Sequence, residues 1–145
     1  MSYADLLDMA VERGVQIPGD EYGLGELLWR TESGTELLIE CEPGWWPILA
    51  GLDVTLAAIT ADYVVQQVKD KFGGLRFYAT AGRHDGSAGS LVNGSLTAGQ
   101  ASEFRRLIDD AERRSLTTCE ICGEPGRTRG AHGWLKTVCD RHGTT

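Results

Sequence analysis

The sequence predicts an α+β domain: two or three helices packed on a small antiparallel sheet, with a zinc knuckle at its C-terminus. Three observations predict it. An apolar period of 3.6 residues runs through 45–59, a Gly-Gly pair sits between β-branched and aromatic residues over 63–80, and the C-terminal segment "CEICGEPGRTRGAHGWLKTVCDRHG" has the spacing C-x2-C-x16-C-x2-H. The 145 residues are enough for one domain with a real core. Residues 1–118 are read as the α+β domain and residues 119–145 as the knuckle packed on it.

Taken in order, Ser2 followed by Asp5 starts a short helix that carries Tyr3, Leu6, Leu7, Ala10 and Val11 on one face and stops at Gly14. "ELLWR" and "ELLIE" flank "TESGT" and read as a hairpin around Ser33-Gly34. In "PGWWPILAGLDVTLAAI", Trp45, Ile48, Leu49, Leu52, Leu56 and Ile59 share one helical face, and Pro47 falls in the first turn, where a missing donor does no harm. Trp45 belongs to that core face; Trp46 is left as a candidate for partner binding.

"YVVQQVKDKFGGLRFYAT" reads as a hairpin with strands near 63–70 and 75–80 turning at Gly73-Gly74. Leu75, Phe77 and Ala79 then face one way and Arg76 and Tyr78 the other, with Lys69, Lys71 and Arg76 near the tip. The Gly- and Ser-rich stretch over about 82–96 is expected to be a mobile loop. Thr97 and Gln100 form a capping box for a helix with Ala101, Phe104, Ile108 and Ala111 on its apolar face. Asp109 with Arg113, and Asp110 with Arg114, stand at i, i+4. That helix leads directly to Cys119, so the knuckle should pack against its end.

Two x2 pairs of soft donors are what a tetrahedral zinc ion requires, because each short turn aims both side chains at one point. The expected ligands are Cys119, Cys122, Cys139 and His142, holding one structural Zn2+ per chain. His132 is the other candidate for the fourth position. A disulfide framework has only the distant Cys41 to add, and a redox C-x-x-C would follow a strand, whereas this one follows a helix. With four protein ligands no position is left open for catalysis. His84 has no partner nearby.

The chain has a net charge of −7, unevenly placed: residues 1–62 hold 12 acids and 2 bases, residues 63–145 hold 9 acids and 12 bases. The acidic half suggests a host protein with a basic surface as partner, with Glu32, Glu36, Glu40, Glu42 and Trp46 as the binding residues. The alternative is a nucleic-acid-binding zinc module with a regulatory role, using Arg127, Arg129, Trp134, Lys136 and Arg141, in which case binding is weak and steeply dependent on salt. No phosphate loop, nucleophile elbow or helical zinc-protease motif is present, so no catalytic residue is expected. No long apolar run or leader is seen, which predicts a cytoplasmic protein without membrane contact.

The ordered combination "GWWPILAGLD", "QVKDKFGGLRFY", "CEICGEPGR" and "GWLKTVCDRH" resembles a family of small bacterial, phage and prophage proteins with a Lys-Phe-Gly-x-Leu-Arg-Phe-Tyr hairpin and a C-terminal Cys/His knuckle. The resemblance covers about residues 44–80 and 101–142. It implies zinc and a phage or prophage setting, and it brings no reaction with it. In that setting the expected role is non-enzymatic: binding and inhibiting a host factor such as a defence nuclease.

Overall fold

The computed structural model describes residues 12, 24, 26–31, 37, 39–81, 96–131 and 133–143. The expected N-terminal helix apart from Glu12, the Ser33-Gly34 turn, Glu32, Glu36, His84, His132 and nearly all of the Gly/Ser-rich loop lie outside them.

Among the described residues the order is β1 (Ile39–Glu40), a 3-10 turn (Pro43–Trp45), α1 (Trp46–Ile59), β2 (Val64–Lys71), β3 (Gly74–Thr80), α2 (Ala98–Ser115), β4 (Arg127–Ala131) and β5 (Trp134–Val138). The architecture is α+β, with two helices, a three-stranded sheet in the order β1-β2-β3 and a separate β4-β5 ribbon.

The main sheet is mixed, which corrects the antiparallel expectation. β2 and β3 are antiparallel, but β1 runs parallel to β2, with Ile39 opposite Val68. The reason is the helix between them: α1 carries the chain back across the sheet, and a parallel pair needs such a crossover. "ELLWR" and "ELLIE" are accordingly not two strands of one hairpin. Leu24, Glu26 and Leu27 are helical, and the chain joins the second segment through the Leu37 N–H, which donates to the Leu28 carbonyl at 2.6 Å.

The helical period reads correctly onto α1. Trp45, Ile48, Leu49, Leu52 and Leu56 are buried, Ile59 packs at the margin, and Pro47 lies in the first turn. Trp46 is also buried, at 1% exposure, and its indole N–H donates to the Cys41 carbonyl. It is a core residue and offers no surface to a partner.

The second hairpin turns one residue earlier than expected. Lys71 and Gly74 close it, so Phe72 and Gly73 form the turn, with φ of 55° and 83°. Both residues adopt the positive φ that favours a tight hairpin. Leu75 and Phe77 are buried and Tyr78 is exposed, as the alternation requires.

α2 starts with the expected capping box: the Gln100 N–H donates to Thr97 Oγ1 at 3.1 Å and the Thr97 N–H to Gln100 Oε1 at 2.9 Å. Phe104, Ile108 and Ala111 are buried, while Ala101 is exposed in the first turn. The ion pairs differ from the i, i+4 expectation. Asp110 takes Arg106 and Arg113, and Asp109 takes Arg105 at 4.0 Å. Each acid thus pairs with an arginine on its N-terminal side, and Asp110 with one on its C-terminal side as well, arrangements that exposed side chains readily permit. α2 also covers the open edge of β3: the Leu75 N–H donates to Ser115 Oγ at 2.9 Å and the Phe77 N–H to Glu112 Oε2 at 3.0 Å. Donors that an edge strand would leave to water or to a foreign strand are satisfied within the chain.

The only charge on α1, Asp53, is buried and holds a polar network in the core. Arg30 binds it through Nε at 2.5 Å and Nη2 at 3.5 Å, and the Tyr63 hydroxyl donates to Oδ1. Arg30 also caps the Ala61 carbonyl at 2.8 Å and lies over the Tyr63 ring. Burial, followed by the Asp53 charge and hydrogen bond, raises the Tyr63 pKa, so the phenol remains a donor. Removing one partner of such a buried pair strands the other. Asp53→Ala should therefore lower unfolding stability by about 3–5 kcal/mol. Urea denaturation of the variant checks this; a loss below 1 kcal/mol would mean that the network contributes no more than an exposed pair.

Candidate metal centre

Past the end of α2, the chain makes a tight turn that carries the first two cysteines. Thr118 bridges Pro125, the Cys119 N–H donates to the Glu124 carbonyl at 2.7 Å, and the Gly123 N–H to the Cys119 carbonyl at 2.9 Å. Gly123 has φ 83°, the conformation that lets the turn close. β4 and β5 follow, paired from Arg127–Val138 to Ala131–Trp134, and return the chain to Cys139 and His142. There the His142 N–H donates to the Cys139 carbonyl at 3.2 Å, forming a second turn.

These two turns bring Cys119, Cys122 and Cys139 Sγ and one ring nitrogen of His142 within 4.8 Å of one another. Cys122 and Cys139 sulfurs are 3.7 Å apart; His142 Nδ1 is 3.6 Å from Cys119 Sγ and 3.2 Å from Cys139 Sγ. A tetrahedral ion with bonds of about 2.3 Å to sulfur and about 2.0 Å to nitrogen would separate S from S by about 3.8 Å and S from N by about 3.5 Å. The donor set fits such an ion. All cysteines are free, so no disulfide competes for these sulfurs. Burial raises the Cys139 thiol, but the His142 backbone N–H, the His142 ring and the neighbouring thiols outweigh it and bring it down to about 6, toward the thiolate that a metal binds. Cys41 stands outside the cluster: it packs against the main core, where burial and then the Glu120 and Asp70 carboxylates hold its pKa well above the ordinary value. His132, the other candidate for fourth ligand, lies outside the described residues.

The cluster is anchored to the rest of the fold by contacts that its motif does not announce. The Gly44 N–H donates to the Glu120 carbonyl at 2.7 Å, and a Cβ on Gly44 would come within 2.1 Å of the Cys119 carbonyl oxygen. Trp45 Nε1 donates to the Thr118 carbonyl at 2.8 Å, and Thr137 Oγ1 to the Gly73 carbonyl at 2.6 Å. Glu120, between the two cysteines of the first pair, is 1% exposed. Its carboxylate accepts from the Glu42 N–H at 3.1 Å and from Lys136 Nζ at 3.2 Å, and Lys136 also reaches Asp70 at 3.5 Å. Burial, then the Asp70 side chain, pushes the Glu120 pKa up to about 7 against the pull of the Glu42 N–H and Lys136. Nothing in the spacing of Glu120 identifies it as the link between the metal turn and the hairpin.

The partner-binding candidates do not form one face among the described residues. Glu40 is exposed at the end of β1, Glu42 is partly buried at the join with Glu120, and Trp46 is in the core. The nucleic-acid candidates assemble better. Arg127 and Arg129 on β4 stand opposite Val138 and Lys136 on β5, and Trp134 stands two residues further along, so all four candidate side chains start from one face of the ribbon. Trp134 is 76% exposed. The cations beside it are largely engaged: Arg129 with Asp140, Lys136 with Glu120 and Asp70, and Arg141 with Cys122 Sγ at 3.8 Å. Of the four cations Arg127, Arg129, Lys136 and Arg141, Arg127 alone makes no ion pair or hydrogen bond with another described side chain. No helix among the described residues is long and apolar enough to cross a membrane.

No protein-family model, curated protein or solved structure matches this chain.

A donor set of this kind should take up one metal ion per chain. Elemental analysis of protein purified without chelator checks the stoichiometry. Cys122→Ser should lose the metal and Cys41→Ser should keep it; equal retention in both would remove Cys122 from the set. Gly44→Ala should weaken the join without touching a ligand, lowering stability by about 1–3 kcal/mol as backbone is forced apart. Equal urea midpoints for Gly44→Ala and the wild type would show that the approach is not tight.

Proposed function

We propose that the protein is a non-enzymatic interaction module in which a structural zinc ion holds the β4-β5 ribbon rigid and presents Trp134 to a protein partner. The observation that carries this reading is Trp134 itself, a large aromatic side chain 76% exposed on a ribbon whose base is tied to four metal-competent ligands. Exposed Trp on a rigid element is the kind of residue that dominates binding energy in protein interfaces. Zinc suits the site because three thiolates and an imidazole, with no position left for water, match its structural sites. The opposite face of the ribbon carries Leu135, 45% exposed, whose backbone lies against the hairpin turn at Gly73. The bacterial, phage or prophage setting implied by the family resemblance makes a host protein, such as a defence nuclease inhibited by this chain, the first partner to test.

Single-stranded nucleic acid is the second reading, favoured by the alignment of Arg127, Arg129, Lys136 and Trp134 on one face. The internal pairing of Arg129, Lys136 and Arg141 counts against it, because a cation engaged with its own chain neutralises fewer phosphates. With Arg127 and at most one other cation reaching phosphate, the log-log dependence of affinity on salt should have a slope of only about −1.

Capture of partners from host lysate with tagged wild type and Trp134→Ala separates the readings. The variant should keep its zinc and its fold and lose a stoichiometric protein partner. Its retention in full would remove Trp134 from the interface. A nucleic acid bound with a slope of about −3 or steeper would place the second reading first.

A further inference from the structure

A cleft of about 360 Å³ opens beside the metal cluster, lined by Pro125, Gly126, Arg127, Arg129, Cys139 and Asp140. It brings together two guanidiniums and one carboxylate. The carboxylate belongs to Asp140, whose side chain is 94% exposed and accepts from Arg129 Nη2. Nε and Nη2 form one edge of a guanidinium, the edge that grips a carboxylate with two parallel hydrogen bonds. Arg30 uses that edge fully on Asp53, Nε to one oxygen and Nη2 to the other. Arg129 does not. Its Nε is buried and has no acceptor among the described residues, and Asp140 takes Nη2 alone, one prong of a two-prong site.

The guanidinium is also held in place. Gly143 lies so close to it that a Cβ there would come within 2.5 Å of Nη1 and 2.7 Å of Cζ, so the plane rests against bare backbone. Arg127, two residues along the same strand, starts from the same face and brings the second positive charge. Three thiolates on Zn2+ would carry one net negative charge, which Arg141 meets at Cys122 Sγ, so two guanidiniums facing the Asp140 carboxylate leave the cleft short of one negative charge. A buried donor without an acceptor, a fixed fork and an unbalanced charge in one cleft describe a site for an oxyanion.

We infer that this cleft binds a carboxylate, such as an Asp or Glu side chain of a peptide, gripped by Arg129 through Nη2, and through Nε once displacement of Asp140 uncovers it, and neutralised by Arg127. A planar monoanion balances the charge, whereas a phosphomonoester dianion would exceed it. Asp140 is the resident occupant. As an exposed side chain in a surface ion pair it holds its place weakly and yields to an incoming carboxylate. The inference stands on the cleft alone and does not depend on Trp134.

Titrating the metal-loaded full chain with sodium acetate, with inorganic phosphate and with sodium chloride, each at the same ionic strength, tests it. The readout is the set of arginine Nε–Hε resonances, with Arg129 assigned by Arg129→Lys. Acetate should shift the Arg129 signal saturably, with a dissociation constant on the order of 10 mM, and chloride should not. Asp140→Asn removes the competing charge, leaving only a weaker neutral acceptor, and should tighten acetate about 3-fold to 10-fold; Arg127→Gln should weaken it about 5-fold. Both side chains are exposed, so zinc content should stay at wild-type level in each variant. Phosphate binding more tightly than acetate would overturn the carboxylate assignment. The absence of a saturable shift, or an Asp140→Asn variant no tighter than wild type, would overturn the site. Loss of partner capture in the Trp134→Ala experiment changes none of these readouts, so the two proposals fail separately.

Discussion

The close approach of Gly44 to the Cys119–Glu120 backbone is the constraint on which the rest of the molecule depends. At this point the N-terminus of α1 and the first metal turn share a backbone hydrogen bond of 2.7 Å, with no room for a side chain between them. One consequence runs inward: Trp45, next in sequence, reaches the Thr118 carbonyl while its ring fills the core. Another runs outward, because the carboxylate of Glu120 then meets the Glu42 N–H and Lys136, and Lys136 meets Asp70 in the hairpin. The C-terminal segment is therefore a packed part of the domain with its own small core of Cys119, Val138 and Cys139.

Two buried polar networks divide the structural tasks. Arg30, Asp53 and Tyr63 join the segment before β1 to α1 and to the start of β2, inside an otherwise apolar core. Glu120, Lys136 and Asp70 join the ribbon to the hairpin. In each, a carboxylate almost withdrawn from water is matched by a cation and at least one further donor, the condition under which burial of charge is tolerated. Each network also selects geometry. Arg30 forks onto Asp53 only if the preceding turn has brought it alongside α1, and Lys136 reaches Glu120 and Asp70 only if the ribbon sits on the hairpin tip.

The surface follows from the same arrangement. The negative charge of the N-terminal half does not become one face among the described residues, since Glu40 and Glu42 differ in exposure and Trp46 is internal. The ribbon instead concentrates an exposed indole and an arginine cleft within a few residues of the Cys/His cluster. The two turns that carry the Cys/His cluster flank the ribbon, so an ion held there would also tie its two strands together at the base.

Much of this was legible in the sequence wherever the determinant is local. The period of α1, the Thr97–Gln100 capping box, the alternation along β3 and the two x2 pairs of the metal cluster are all set by neighbours within a turn or a strand, so residue type and spacing were enough to determine them. Tertiary structure decided what depends on residues far apart. The parallel pairing of β1 exists because α1 returns the chain to the same side of the sheet. Trp46 is buried with its indole N–H on the carbonyl of Cys41, outside the helix. Asp53 is a buried ion-pair partner only because Arg30, 23 residues earlier, reaches it. The basic patch read from Arg129, Lys136 and Arg141 is largely neutralised because Asp140, Glu120 and the Cys122 sulfur fold against it. Spacing reveals which side chains can meet within one element; only packing decides which distant charge, carbonyl or ring each of them meets.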